Sequence, residues 1–356
     1  MNADSNLPDN DAWPALAYAD WQDTCNTLHL WTQIVGKVKL ALAPLSNHWW
    51  GIVLYVTARG LTTGAMPCGD RVLQIDFDFC AHELVLRSSD GREQRIALAP
   101  MATADFYAAV MAALRALDVD VSIWTMPVEI EGAIPFEQDR VHARYDGAAA
   151  QTFWRQLVQV DRVFNVFRAR FLGKVSPVHF FWGSFDLAVT RFSGRTAPPL
   201  NSSNSPNVAA WVMNEAYSHE CASVGFWPGN GGYGRAAFYA YAYPEPDGFG
   251  AQKVAPQGAA YDADVGQFLL DYDAVRAAAS PDDALLDFLQ STYEAADTDA
   301  ERLRVVVDQI ASLTDTSAIA WHDRLCRARR PVPRNRSAGA TSAAAAAVRK
   351  GPADAR

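Results

Sequence analysis

The feature that most limits how this chain can fold is an apparent repetition of its own phrases. Ile34-Val35-Gly36-Lys37-Val38 leads to Trp49-Trp50-Gly51 and then Leu54-Tyr55-Val56-Thr57-Ala58-Arg59, while Phe171-Leu172-Gly173-Lys174-Val175 leads to Phe181-Trp182-Gly183 and Leu187-Ala188-Val189-Thr190-Arg191. A tandem repeat predicts two similar modules with a seam between them, and seams of this kind are where small-molecule pockets form. The two copies are offset by 137 residues at Gly36 and Gly173, by 132 at the Trp-Gly pairs and by 133 at the Val-Thr pairs. A slip of one residue inside a strand exchanges its faces. The modules are therefore expected to be unequal, with one asymmetric pocket biased toward the second.

Periodicity sorts the segments between these landmarks. Trp21, Cys25, Leu28, Trp31 and Val35 fall on one helical stripe, and Gly36 offers the left-handed conformation that ends helices. Beyond it Val38, Leu40 and Leu42 alternate with Lys37, Lys39 and Ala41, which predicts a strand, and 49–57 reads as another. Residues 71–79 and 83–87 read as a hairpin, 94–98 as its third strand, 103–117 as a helix and 122–130 as a further strand. In the second half Phe153, Leu157, Val160, Phe164, Phe167 and Phe171 form a helical seam that Gly173 is expected to stop. Residues 178–191, with a bend at Gly183, and 238–243 and 268–272 read as strands, and 281–296 as a helix. Hairpins outnumber strand-helix-strand alternations, so the expected fold class is α+β. It consists of two tandem, duplicated helix-plus-antiparallel-sheet modules packed together, at 12–146 and 147–323, with a disordered basic Ala/Arg-rich tail at 324–356.

Charge and cysteine usage exclude several classes. From Arg324 onward nine basic residues face one acid, which leaves 22 basic and 39 acidic residues in 1–323, a net charge of −17. Such a body repels phosphate backbones, so nucleic acid is not an expected partner of the folded part. Cys25, Cys68, Cys80, Cys221 and Cys326 are odd in number and show no C-x-x-C spacing, which argues against a disulfide framework and suits a reducing compartment. No apolar run approaches the roughly 18 residues of a membrane span, so the cytoplasm is the expected location and no membrane the expected partner. No cofactor and no oligomeric state is legible.

Candidate chemistry rests on isolated side chains, because no H-E-x-x-H, P-loop, Rossmann glycine pattern or G-x-S-x-G elbow occurs. His48, beside Trp49-Trp50, and His179, beside Phe180-Phe181-Trp182, stand at related places in the repeat. They are candidates for acid–base work or metal ligation, against the reading of two half-buried imidazoles bonded to backbone carbonyls. His219-Glu220 offers a second histidine–carboxylate pairing, and His179 and His219 are the best metal candidates. Asp186 interrupts an apolar run, where an unpaired carboxylate is too costly to leave without a partner or a task. Arg59 and Arg191 close matching strands and suit bidentate capture of an anion, or ordinary salt bridges to the acidic body. Trp50, Trp182, Tyr241 and Tyr243 supply an aromatic face for a ring, or one side of a core. The glycine-rich stretch 229–234 reads as a mobile loop or a lid.

The phrases Thr27-Leu28-His29-Leu30-Trp31-Thr32-Gln33-Ile34-Val35-Gly36-Lys37, Asn47-His48-Trp49-Trp50, Val56-Thr57-Ala58-Arg59-Gly60-Leu61-Thr62-Thr63 and Ser176-Pro177-Val178-His179-Phe180-Phe181-Trp182-Gly183-Ser184-Phe185-Asp186-Leu187 resemble a bacterial domain of unknown function, the 5996 family. The resemblance covers most of residues 13 to about 296 and implies a cytosolic bacterial protein. It implies no activity, fold or catalytic residue. Two functional classes are expected. The first is an enzyme acting on a small, anionic or aromatic molecule with histidine acid–base or metal chemistry, which requires histidines that converge in one concavity. The alternative is a non-catalytic small-molecule-binding module, which requires an apolar, aromatic-lined pocket with few titratable groups.

Overall fold

The structure is a computed structural model that describes residues 12–200 and 205–296; the expected tail at 324–356 and Cys326 lie outside the described residues. Its axis is a helix, α1 (Tyr18–Leu42), in which every residue from Thr27 to Lys39 is buried. A helix covered on all sides carries no amphipathic stripe to mark its end. That is why the strand expected at 38–42 is helix, and why Gly36 does not stop it. Gly36 marks a close approach instead: a Cβ there would stand 2.4 Å from the indole of Trp182. Lys37 and Lys39, which mimic the polar half of an alternating strand, are buried and donate to carbonyls, Lys37 to Trp124 and Met126 and Lys39 to Val53 and Thr63. Burial pushes both ammonium groups down to about 8.

The first sheet is antiparallel and comprises β1 (Tyr55–Val56), β2 (Gly60–Thr62), β3 (Met66–Cys68), β4 (Arg71–Asp78), β5 (Glu83–Ser88) and β6 (Glu93–Ala97), in the order β1-β2-β4-β5-β6 with β3 also on β4. The alternation reads directly. Leu73, Ile75, Phe77, Leu84 and Leu86 turn inward toward α1 and α2 (Thr103–Ala116), where Trp31 stacks on Phe106 at 4.4 Å. The opposite face carries a charge ladder, Arg87 with Asp76 and Glu93 and Arg95 with Glu83 and Glu93. Two expected strands are corrected here. Residues Asn47–Trp49 form one tight helical turn with left-handed φ at His48 (53°) and Trp49 (62°), leaving only β1 of the strand expected at 49–57. Residues 122–130 form no strand, because the Gln33 side chain bonds both the N–H and the C=O of Val128 in place of a sheet neighbour.

The second half opens with α3 (Gly147–Ala169), whose N-cap Asp146 accepts from the amides of Ala148 and Ala149. Its seam from Phe153 to Phe167 is buried as the spacing predicts, each ring contributing roughly 1.5–3 kcal/mol of burial, but the helix ends before Phe171 and Gly173. There follow β7 (His179–Phe181), β8 (Asp186–Thr196), α4 (Ala210–Ala216), β9 (His219–Trp227), β10 (Ala237–Tyr243), β11 (Ala260–Asp262), β12 (Gln267–Asp271), α5 (Tyr272–Arg276) and α6 (Pro281–Ala296). The strands form an antiparallel sheet in the order β11-β12-β10-β9-β8-β7, and the strand expected at 178–191 with a bend at Gly183 is a full hairpin that turns at 182–185. Leu187, Val189, Val224, Phe226 and Phe238 face α3 and α6. The sheets join where Leu54 and Phe180 exchange backbone hydrogen bonds of 2.9 and 2.8 Å.

The fold is α+β, with one continuous core drawn from residues of both sheets. Duplication is not confirmed. Residues 34–38 lie inside a helix while 171–175 follow one, and Trp50-Gly51 follows a helical turn while Trp182-Gly183 occupies a hairpin turn. Among the described residues no helix is long and apolar enough to cross a membrane.

Candidate functional site

The face of the second sheet turned away from α3 is organised in cross-strand rows. Register places Ala188, Gly225 and Tyr239 in one row and Thr190, Ser223 and Tyr241 in the next. Gly225 is required because Tyr239 lies across it: a Cβ there would stand 2.2 Å from the phenol ring. Small residues at 188 and 225 thus form a trough along which the ring of Tyr239 reaches back to Asp186. In the next row Thr190 and Ser223 bond hydroxyl to hydroxyl at 2.9 Å, and the Tyr241 hydroxyl meets that of Tyr217 at 2.9 Å.

Above this face lies a cavity of about 970 Å³. Its other walls are the C-terminal half of α1, the turn around Trp49, the irregular segment at 122–129 and α4. The lining is mostly apolar and aromatic, with Trp50, Trp124, Trp182, Trp211, Tyr239 and Tyr241 among its rings. Leu45, Trp124 and Trp211 are 62%, 60% and 60% exposed, so the rim is apolar as well.

The acidic groups of the cavity are Asp186 and Glu129. Asp186 is buried and accepts from the hydroxyls of Ser184 and Tyr239; burial raises its pKa, and those two bonds pull it back in part. Glu129 has a left-handed φ of 59°, and its carboxyl lies over Gly183, where a Cβ would stand 2.3 Å from it. As a residue Glu129 is exposed, yet the protein packed around its carboxyl and the charge of Asp186 push it up to about 7. No hydrogen bond or ion pair holds the Glu129 carboxyl among the described residues. Burial, with Asp186 adjacent, raises Tyr239 far above the usual phenol range, and burial raises Tyr217 to about 12.

The residues singled out in the sequence divide between this cavity and other places. Asp186, His48, Trp50, Trp182 and Tyr241 line it together. His48 is fully engaged: Nδ1 lies 3.0 Å from the Ala216 carbonyl, and Nε2 accepts from the Lys174 ammonium at 2.7 Å. Burial first, and Lys174 in addition, lower its pKa. His219 meets it edge to face at 5.4 Å but does not line the cavity. His179 is buried beside Phe181, with neither ring nitrogen hydrogen-bonded among the described residues, and burial with Lys39 lowers it to about 3. His179 and His219 pair with Ala188 and Thr196, eight residues apart along β8, roughly 26 Å at strand spacing. Among the described residues no group of three or more His, Cys, Asp or Glu is arranged to hold a metal.

Glu220 bonds Ser193 and Arg195 beside a smaller cavity of about 150 Å³, which Arg191 and Tyr243 also line. The Arg191 guanidinium lies 3.5 Å from the Phe167 ring and donates to the Phe167 carbonyl, while Arg59 pairs with Asp78 on the surface. Neither arginine reaches the main cavity. The glycine-rich stretch does not line it either, and Asn230 there is fixed by Trp227. Glu129 and Ser184 are the residues that sequence reasoning missed; Glu129 sits on irregular backbone, which leaves no periodic signal.

The sequence pattern that defines the family of unknown function DUF5996 matches residues 13–305, most of the chain. The chain belongs to this family. The match takes in both sheets and every wall of the cavity, so the aromatic site is part of what the DUF5996 pattern spans. A stretch of 46 residues is also 50% identical to part of a deoxyguanosinetriphosphate triphosphohydrolase-like protein of Bifidobacterium longum (strain NCC 2705). That stretch is 13% of this chain and 10% of the relative, which is too little to carry an activity across. No solved structure matches the chain.

Proposed function

We propose that the protein is a small-molecule-binding module whose ligand is a mostly apolar, ring-bearing molecule held in the main cavity. The observation that carries this reading is the cavity itself, about 970 Å³ with a mostly apolar, aromatic lining in which Lys37, His48, Glu129 and Asp186 are the charged or imidazole side chains. Ligand sites range over roughly 300–1,000 Å³, and apolar walls with a few placed polar groups are their usual make-up. Rings of this kind bind by burial and by offset or edge contacts, each worth about 0.5–1.5 kcal/mol beyond the area term. The reading requires no histidine reaction, since both nitrogens of His48 are occupied and His179 lies off the cavity.

A neutral naphthalene dye whose emission shifts to the blue in apolar surroundings tests it. Saturable binding to the wild-type protein is expected, with affinity at least about tenfold weaker in Ser223→Trp, which fills the floor, and unchanged in Arg59→Ala on the far surface. Absence of saturable binding, or equal binding by the floor-filling variant, overturns the proposal.

A further inference from the structure

The charge of the cavity is the reverse of what the sequence suggests. Arg59 and Arg191, the expected anion clamps, both lie elsewhere, while two carboxyl groups, Asp186 and Glu129, face the space between aromatic walls. We propose that the ligand is an organic amine, bound as a cation with its ammonium at Asp186 and Glu129 and its apolar part against the rings of the cavity. The inference rests on the binding reading given above and names the class of molecule.

Three observations support it. First, among the described residues no cation serves this carboxyl pair. Among the described residues Asp186 is bonded by neutral donors, the Ser184 and Tyr239 hydroxyls and its own amide, and Glu129 has no ion pair. Lys37, the ammonium that lines the same cavity, donates to the carbonyls of Trp124 and Met126 and lies over the Trp124 ring at 4.6 Å. His48, the other basic side chain on the cavity wall, is engaged as well, accepting from Lys174 and lying 3.0 Å from the Ala216 carbonyl.

Second, the surrounding protein stabilises the two carboxyls poorly as anions. Desolvation drives both toward protonation, and the Asp186 charge adds to it at Glu129, which is pushed up to about 7, and bears on Tyr239 and Tyr217 as well. A ligand cation relieves each of these interactions at once, whereas an anion adds a third like charge and a neutral ligand changes none of them. Third, aromatic rings share the cavity with the carboxyls, and aromatic rings attract an ammonium and its polarised methylenes. Trp182 and Tyr239 line the same cavity as both carboxyls, and Tyr239 and Tyr241 stack with their planes 16° apart.

Competition against the bound naphthalene dye provides the test, with three probes of one shape: 2-(2-naphthyl)ethylamine, 2-propylnaphthalene and 3-(2-naphthyl)propionate. The amine is expected to displace the dye at a concentration at least about tenfold lower than the neutral hydrocarbon, with the carboxylate weakest. Glu129→Gln is expected to bring the amine to within about threefold of the hydrocarbon. Asp186→Asn is expected to do the same, and because each variant is read as a ratio between two probes, a general loss of folded protein does not imitate the result. If the dye binds and the amine gains nothing over the hydrocarbon, or keeps its advantage in Glu129→Gln, the amine assignment falls while the cavity reading stands. If the dye fails to bind the wild-type protein, both fall.

Discussion

Replacing Gly36 by alanine separates two explanations of why glycine occupies the middle of a 25-residue helix. By helix propensity alone alanine is favoured by about 1 kcal/mol, so a glycine kept for no packing reason predicts a more stable variant. The structure predicts the opposite. The new methyl would stand 2.4 Å from three atoms of the Trp182 indole, where carbon atoms need about 3.5–4.0 Å. The ring would have to retreat by more than about 1 Å, yet its Nε1–H is bonded to the Ile52 carbonyl at 2.8 Å. Overpacking of this size costs about 1–3 kcal/mol, and stranding the indole N–H adds about 1–3 kcal/mol if the bond breaks. Offset by the propensity gain, the expected loss is about 2 kcal/mol in urea unfolding, with weaker dye binding because Trp182 lines the cavity. Adding Trp182→Leu should recover at least half of the loss, a coupling that a double-mutant cycle measures directly. A Gly36→Ala protein as stable as wild type, or more so, would refute the packing explanation.

Three further outcomes follow from the same geometry. His179→Leu should raise stability by about 1 kcal/mol, since it removes two buried nitrogens that lack partners. His179 falls from 6.5 to about 3 in the folded state, so the unfolded chain binds more protons between those values and wild type loses stability as pH falls through them; acid titration of the leucine variant should show a shallower decline. For Glu129 the sign is reversed: raised from 4.5 to about 7, it keeps a proton that the unfolded chain gives up, so stability declines as pH rises across that window, and Glu129→Gln should flatten the slope. Arg191→Ala should cost about 2 kcal/mol or more, because it strips a buried guanidinium from the Phe167 and Tyr293 rings and from a carbonyl, whereas Arg59→Ala should change stability by less than about 1 kcal/mol.

Local patterns in the sequence were informative wherever one side of an element meets solvent. Residues 281–296 are helical as their spacing predicts, and the three-stranded meander β4-β5-β6 follows from its alternation and turns. The tyrosines of β10 share a face as their period of two requires, and Asp186 is paired as its burial demands. The failures lie where contacts distant in sequence decide the conformation. Gly36 resembles a helix stop until Trp182, far along the chain, is seen against it. The matching phrases at 34–38 and 171–175 are alike in letters but differ in structure, because one is surrounded by core and the other follows the end of a helix. Glu129 was illegible because its place over Gly183 is fixed by Gln33 and Val128, an arrangement that no repeating pattern encodes.

The burial of thirteen successive residues in α1, from Thr27 to Lys39, has a consequence for how such a chain can vary. An ordinary surface helix has positions on its outer side where substitutions accumulate without effect, and a scan of variants along it shows a stripe. Here a complete scan should show an unbroken block of intolerance. A one-residue insertion or deletion inside the block would rotate everything beyond it by about 100° and misplace Trp182, Lys37 and Lys39 contacts together. Changes of length are therefore confined to the segments on either side, and this stretch becomes a fixed ruler against which the rest of the chain is measured.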